Sequence, residues 1–555
     1  MASLLANVRS LDRKPTREGQ GDSGNPPCGE TVDAAAGMNG VVGDRMAGSC
    51  SDVNQGSRSG KRTGNQANSP EEGPEGDRAP VGAKKSRNGG GAKGGREANP
   101  EGNRQSEEEP PSVPTTDKQG GKDLWQRHKA ERGVWSQGML ETLERGVKGG
   151  KWFSLIDKVY QEKTLAIGWG KVKSNAGSCG VDGITVKRFE RESQERLQAM
   201  NAQLKGGDYQ PLPARRKWLE KPGSKEKRPL GIPAVCDRVV QTAAKMVMEP
   251  IFEQEFAPQS YGFRPGLGCK DALRRVEELL ESGHCHVVDI DIKKFFDTIP
   301  HDLLMKLVEE RIADGRLLEL VEKFLKAGVM EGMDQWDTEE GTPQGGVISP
   351  LLANIYLNPL DWLMVGQGIQ LVRYADDMVA MCRDEESARK ALEEIGRWMG
   401  ESKLTLHPEK TRVVDMTVGG NHFDFLGYRF WRSRKGGIAR LVRPKSMKKL
   451  KDGLKPLTKR ANGQSMEAIV KKINPVLKGW YGYFKHASAK TLGGLDGWIR
   501  GRLRGILRKR SGRKGRGRGI DHQRWPNRYF DTLGVYCLKH AKRMEMTSLR
   551  NGANC

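Results

Sequence analysis

Leu371-Val372-Arg373-Tyr374-Ala375-Asp376-Asp377-Met378-Val379-Ala380 sets two adjacent carboxylates at the junction of two apolar, strand-forming runs. The pattern reads as a hairpin with Asp376 and Asp377 at its tip. Like charges side by side raise each other's pKa unless a cation compensates, so a divalent metal is the natural counterpart. A solvated Asp-Asp turn is the plain alternative for so short a motif.

A second acidic strand lies upstream, His286-Val287-Val288-Asp289-Ile290-Asp291-Ile292, followed by Lys293-Lys294-Phe295-Phe296-Asp297. Strand alternation puts Asp289 and Asp291 on one face. Joined to the Asp-Asp hairpin, this strand supplies the third acid needed to hold two Mg²⁺ roughly 3.5–4 Å apart for in-line phosphoryl transfer.

Charge says what such chemistry would act on. The 555-residue chain carries a formal net charge of +24. Residues 431–520 contain 27 Lys and Arg against only Asp452, Glu467 and Asp496, so this one window equals the whole chain's excess. Localised positive charge points to a polyanion, nucleic acid by default. No 18-residue apolar run offers a membrane span, and no membrane partner is expected. Nine scattered cysteines, none spaced Cys-x-x-Cys, suggest reduced thiols in a bacterial cytoplasm rather than a disulfide framework.

No aromatic residue precedes Trp125, and residues 1–121 are rich in Gly, Ser, Asn, Pro and charge. Such a segment buries too little apolar area to offset its ordering entropy, which predicts a disordered extension. It is either a basic RNA-tethering arm or translated upstream sequence. The start of the chain has too short an apolar stretch for a secretory signal, and Asp12 and Glu18 count against an organellar one.

Globular texture begins at Trp125, with helical spacing at Val240, Ala244, Val247 and Ile251. Arg215–Leu219 and Lys227–Leu230 flank Pro222-Gly223 and read as two basic strands joined by a turn. Farther on, Ser465 can cap a helix bearing Ile469 and Ile473, and Asn474-Pro475 can start a second bearing Leu477, Trp480, Tyr483 and Phe484. The Gly-interleaved run Arg502 to Arg518 reads as a flexible arm.

Tyr374-Ala375-Asp376-Asp377 resembles the YxDD box of reverse transcriptases, and six further segments match that family in order. They are Gly180-Val181-Asp182-Gly183, Arg228-Pro229-Leu230-Gly231-Ile232-Pro233, Tyr261-Gly262-Phe263-Arg264-Pro265, Asp291 to Asp297, Gly341-Thr342-Pro343-Gln344-Gly345-Gly346, and Phe425-Leu426-Gly427-Tyr428. In this wording the set resembles group II intron reverse transcriptase-maturases over roughly residues 150–430, and the basic region is similar to that family's thumb and X region.

The resemblance implies an α/β right-hand polymerase with fingers and palm over 122–430, an all-α basic thumb/maturase domain over 431–545, and a tail over 546–555. It implies RNA-directed DNA polymerase activity with two Mg²⁺ (Mn²⁺ as substitute), dNTPs, an RNA template with a DNA primer, target DNA and the intron RNA as partners. Metal would be held by Asp291, Ile292, Asp376 and Asp377. The nucleotide would meet Lys221, Arg228, Phe296, Gln344, Tyr374 and Ala375, with Phe296 excluding a 2′-hydroxyl and Phe295 left to the core. Phe425, Leu426, Gly427 and Tyr428 resemble the primer grip, and Arg502, Arg504, Arg508, Arg510 and Arg513 are expected to anchor RNA.

The sequence departs from many relatives in showing no Cys-x-x-Cys pairs after Trp525, so the zinc-stabilised HNH endonuclease is expected to be absent. His284-Cys285-His286 is a poor metal site, because alternation sends Cys285 to the opposite face. Two rivals remain: a binding-only maturase, which intact acids disfavour, and a retron or defence-associated enzyme, expected to lack the long basic region.

Overall fold

The computed structural model describes residues 126 and 128–552, apart from 221–226, 333, 337, 462, 516 and 518. The expected disordered extension and Lys221 lie outside the described residues.

The strands among the described residues, in chain order, are β1 (Ala214–Glu220), β2 (Lys227–Ile232), β3 (His286–Asp291), β4 (Val329–Glu331), β5 (Asp334–Trp336), β6 (Gln370–Tyr374), β7 (Asp377–Cys382), β8 (Arg412–Asp415), β9 (His422–Phe425), β10 (Tyr428–Arg432) and β11 (Ile438–Val442). They form three sheets, ordered β2-β1-β4-β5, β6-β7-β3-β8 and β11-β10-β9. The two basic strands expected from sequence pair antiparallel as β1 and β2.

The sheet β6-β7-β3-β8 is antiparallel throughout and is covered on both faces. Val288, Ile290, Met378 and Ala380 belong to one apolar cluster with the helices Val235–Glu253 and Ser349–Gly366. Val287, Val379 and Met381 belong to a second, shared with the helix Cys269–Glu281, the β9–β10 hairpin and the C-terminal helices. Alternation therefore places Asp289, Asp291 and Asp377 in line with the second set. The expected helical spacing is met in Val235–Glu253, where Val240, Ala244 and Val247 are fully buried.

Three expectations about the C-terminal region need correction. Residues 431–443 are not helical, because β10 and β11 close the hairpin sheet there. The final helix, Leu538–Gly552, runs through the expected tail boundary at 545. Residues 466–484 form one helix rather than two, with Pro475 inside it. The buried stripe Ile469, Ile473, Leu477, Tyr481 and Phe484 continues across Pro475, and tertiary packing outweighs the lost backbone bond. The Asn474 side chain is tied down there, donating to the Gly534 carbonyl and accepting from the Tyr536 amide. Among the described residues no helix is long and apolar enough to cross a membrane.

One cation within the core decides the shape of the β6–β7 tip. Arg373 and Asp361 are both wholly buried, and the guanidinium donates to the two carboxylate oxygens at 2.7 and 2.5 Å. Its remaining nitrogen, Nη1, donates to Asn354 Oδ1 at 2.9 Å and to the Ala375 carbonyl at 3.1 Å. Removing one partner from such a pair strands a charge in the interior. Asp361→Ala is expected to lose about 3–5 kcal/mol, while Arg373→Met/Asp361→Leu, which removes both charges, should recover most of it. A single mutant that melts with wild type would contradict this.

Candidate active site

The tip is a tight connection in which Tyr374 faces Asp377 across the ladder and Ala375 takes φ 57°. A non-glycine residue in the left-handed region is strained and must be held from outside. The Arg373 guanidinium supplies one hold through the Ala375 carbonyl. A second comes from the Tyr261–Pro265 motif: the Tyr261 amide donates to the Arg373 carbonyl at 2.8 Å, and Asn354 Nδ2 donates to the Gly262 carbonyl at 2.8 Å. Gly262 lies so close that a Cβ would come within 2.3 Å of the Ala375 nitrogen. Arg264 locks the motif in turn, bridging Glu253 and the Ala257 and Ser260 carbonyls.

β3 brings the third acid to this tip, since Asp291 stands opposite Asp377 in the β3–β7 register. Asp376 is next in the chain, so all three sequence-expected acids meet at one end of the sheet. Burial pushes the Asp377 carboxyl up to about 7; the Asp376 and Asp289 charges add to the rise, and the Leu426 amide, which donates to Oδ2 at 3.3 Å, opposes it. Asp289 is pushed up to about 6 by burial, against the pull of Arg412. Asp291 is paired with Lys410, whose Nζ lies 2.7 Å from Oδ2. Ile292 is buried and apolar, so only its main chain has a polar group to lend.

Among the described residues no group of three or more His, Cys, Asp or Glu forms a ready-made metal cage. The donor set nonetheless fits a hard cation: it is oxygen-only, carries adjacent like charges, and one member already holds an ammonium in a cation's place.

The nucleotide-side residues divide. Phe296 is half-buried against Phe295, which is 2% exposed and belongs to the core. Gln344 Nε2 donates to Asp297 Oδ1 at 3.2 Å, and the Thr342 amide donates to the Phe296 carbonyl at 2.7 Å. The Gly341–Gly346 loop and the Phe296 turn are therefore one unit, and the Gln344 carbonyl ties it to Gly231 of β2. Arg228 stands opposite Leu219 on the β1–β2 hairpin.

Burial narrows two sets of expected contacts. Phe425 and Tyr428 are fully buried, so of the four grip residues only the Leu426–Gly427 turn can meet a duplex with its own surface. Of the five arginines only Arg504 is buried, while Arg502 and Arg508 are half-buried and Arg510 and Arg513 are exposed. Arg504 is 3% exposed and donates to the Trp525 carbonyl and Asn527; Arg502 donates to Thr458; Arg508 pairs with Asp521; and Arg510 donates to the Gln464 carbonyl. Arg513 is exposed, 4.0 Å from Asp521. Arg502–Arg510 is helix, not a flexible arm, because Leu503 and Ile506 pack into the core.

Sequence reasoning missed Arg373, Asp361 and Lys410. A lone cation in the apolar run Leu371–Tyr374 was a visible sign of a buried partner. Lys410 sits in the charged segment Glu409-Lys410-Thr411-Arg412 and carried no comparable signal.

This geometry agrees with comparison to known proteins. Residues 219–430 match the family reverse transcriptase (RNA-dependent DNA polymerase), and residues 447–525 match the group II intron, maturase-specific domain. Protein YkfC of Escherichia coli is 37% identical over 294 residues, 46% of this chain and 76% of that protein. Group II intron-encoded protein LtrA of Lactococcus lactis is 40% identical over 195 residues, 35% of this chain and 32% of that protein. A 91 kDa protein in the cob intron of Schizosaccharomyces pombe is 38% identical over 206 residues, 37% of this chain and 25% of that protein. The alignments thus span about a third or less of the two intron-borne relatives. The chain belongs to the family of group II intron-encoded reverse transcriptase/maturases. Its residues 219–430 are the RNA-directed DNA polymerase domain.

The raised Asp377 carboxyl has a stability consequence. A carboxyl higher in the folded than the unfolded state contributes stability that is present below the unfolded value near 3.8 and is lost as pH rises through about 7. In chelator, wild type should lose on the order of a few kcal/mol across that window, and Asp377→Asn should flatten the loss and melt higher at pH 8. Parallel melting curves for the two proteins from pH 5 to pH 8 would contradict it.

Proposed function

We propose that this protein extends a DNA primer on an RNA template with dNTPs, and that it binds group II intron RNA and assists its splicing and mobility. The observation that carries the first half is the register pairing of Asp291 with Asp377 beside Asp376, on a hairpin braced from behind.

Asp291, the Ile292 main chain, Asp376 and Asp377 are the residues that would hold two divalent ions, Mg²⁺ with Mn²⁺ as substitute. Such ions, when bound, lower the pKa of the primer 3′-hydroxyl and offset charge on the leaving pyrophosphate. The protein's own part is to keep these acids in place before substrate arrives, which is where the braced Ala375 turn acts. Phe296, half-buried beside Phe295, is read as the barrier to a 2′-hydroxyl. Gln344, held by Asp297, is read as lining the nucleotide pocket together with the Tyr374–Ala375 backbone. Lys221 and Arg228 of the basic hairpin are read as the triphosphate clamp. Lys410 neutralises Asp291 while no substrate is bound.

RNA binding is better read on a groove of about 860 Å³ between the helices Ala489–Arg510 and Leu538–Gly552 than on the five arginines. Lys490, Arg500, Lys539, His540, Lys542 and Arg543 line it, and Lys490, Lys539 and Arg543 are exposed. Exposed cations along a groove can displace counterions from phosphates; a buried Arg504 cannot.

Two experiments test the two halves. Asp376→Asn should abolish primer extension on an RNA template while leaving intron RNA binding intact, because an amide does not replace a charged metal ligand. Wild-type cDNA yield from that variant would end the polymerase mechanism. Lys490→Gln/Lys539→Gln/Arg543→Gln should weaken intron RNA binding and flatten its log K against log salt slope by roughly two units, at somewhat under one per phosphate contact. An unchanged slope would place the RNA elsewhere.

A further inference from the structure

The β9–β10 turn carries a strain that the palm alone does not hold. Leu426 takes φ 47° and Gly427 φ 81°. For leucine that backbone is costly and persists only where surrounding contacts over-determine it. Those contacts come from beyond the polymerase domain, which ends at residue 430. Tyr483, in the maturase-specific region, donates its hydroxyl to the Leu426 carbonyl at 2.7 Å. Tyr428 returns the link, donating its own hydroxyl to the Tyr483 carbonyl at 2.8 Å. Gly427 is held from the same side: its carbonyl accepts from Ser446 Oγ and from the Arg443 amide, both at 3.1 Å, and the Phe484 ring lies 3.5 Å from where a Cβ would stand.

The other end of the same residue faces the acids. Leu426 donates its amide to Asp377 Oδ2 at 3.3 Å, so one leucine receives a hydroxyl at its carbonyl and delivers an N–H to a carboxylate of the site. We propose that Tyr483 is a positioning residue for Asp377, acting through the Leu426 peptide, so that the maturase-specific helix Met466–Phe484 helps set the polymerase site. The proposal rests on the polymerase reading above. It has a mechanical corollary: the exposed Lys471, Lys472 and Lys478 lie on the same helix as Tyr483. A nucleic acid seated on those lysines would load the rod that ends at the Leu426 turn.

Tyr481 on the same helix provides a matched control, since its hydroxyl bonds Glu545 and makes no link to the turn. The full chain is compared as wild type, Tyr483→Phe and Tyr481→Phe. Mn²⁺ binding to the free protein is followed by electron paramagnetic resonance, and primer extension on an RNA template is resolved into kcat and the KM for dNTP. Tyr483→Phe should weaken Mn²⁺ binding and lower kcat by about three- to tenfold, the effect of one hydrogen bond, with KM nearly unchanged and kcat partly restored at high Mn²⁺. Tyr481→Phe should match wild type in both. Wild-type Mn²⁺ affinity and kcat in Tyr483→Phe would overturn the proposal, and so would equal losses in both variants, which mark a general loosening of the helix. A wild-type chain that binds Mn²⁺ and extends no primer would overturn the polymerase reading instead, and the Mn²⁺ comparison of the variants would still decide the role of Tyr483.

Discussion

A guanidinium with no access to water holds the site together. Arg373 sits near the end of β6, pairs with Asp361 behind the sheet, and gives its remaining nitrogen to Asn354 and to the carbonyl of strained Ala375. Desolvating both charges is expensive, and the pair is tolerable because nearly every donor finds an oxygen. A pair of this kind gives little net stability; it gives position. The tip carrying Asp376 and Asp377 cannot relax without unmaking it, and Gly262, pressed against the Ala375 backbone, leaves no room for a displaced turn.

The front of the tip is held differently. There the Leu426 turn, itself kept in a strained conformation by Tyr483, Ser446 and Arg443, reaches Asp377. The two halves of the chain that match separate families therefore share one small region, and the second apolar cluster runs without a break from the palm strands into the helix Met466–Phe484. A polymerase domain cut at residue 430 would lose Tyr483, Ser446 and Arg443, and the Leu426 turn that reaches Asp377 would lose the contacts that hold it.

Much of the palm was legible because its signals are local. The alternation in Val287–Ile292 and the two apolar runs around Asp376-Asp377 specify strands, and the acids fall at strand ends where only function explains them. The helix Val235–Glu253 was equally plain from its spacing. What could not be read were partnerships across long separations. Nothing near Arg504 announces that Trp525 and Asn527 will absorb it, and a run of arginines looks the same in sequence whether it faces phosphate or carbonyls. Charge counting located the basic domain and could not show that Arg504 turns inward. Pro475 misled for a related reason: a local breaker was outweighed by a continuous buried stripe that only the folded chain presents.

Lys410 marks the place where metal and protein would compete. Its ammonium lies on one oxygen of Asp291, so a divalent cation taking that oxygen would have to displace it. The most direct measurement is the structure of the full chain bound to an RNA template, a 3′-deoxy-terminated DNA primer, the matching dNTP and Mn²⁺, with manganese located by its anomalous scattering. Manganese between Asp291 and Asp376, with Lys410 withdrawn from Asp291, is the expected result. Template, primer and nucleotide seated without manganese at these acids, and with Lys410 still on Asp291, would contradict the assignment of the catalytic centre.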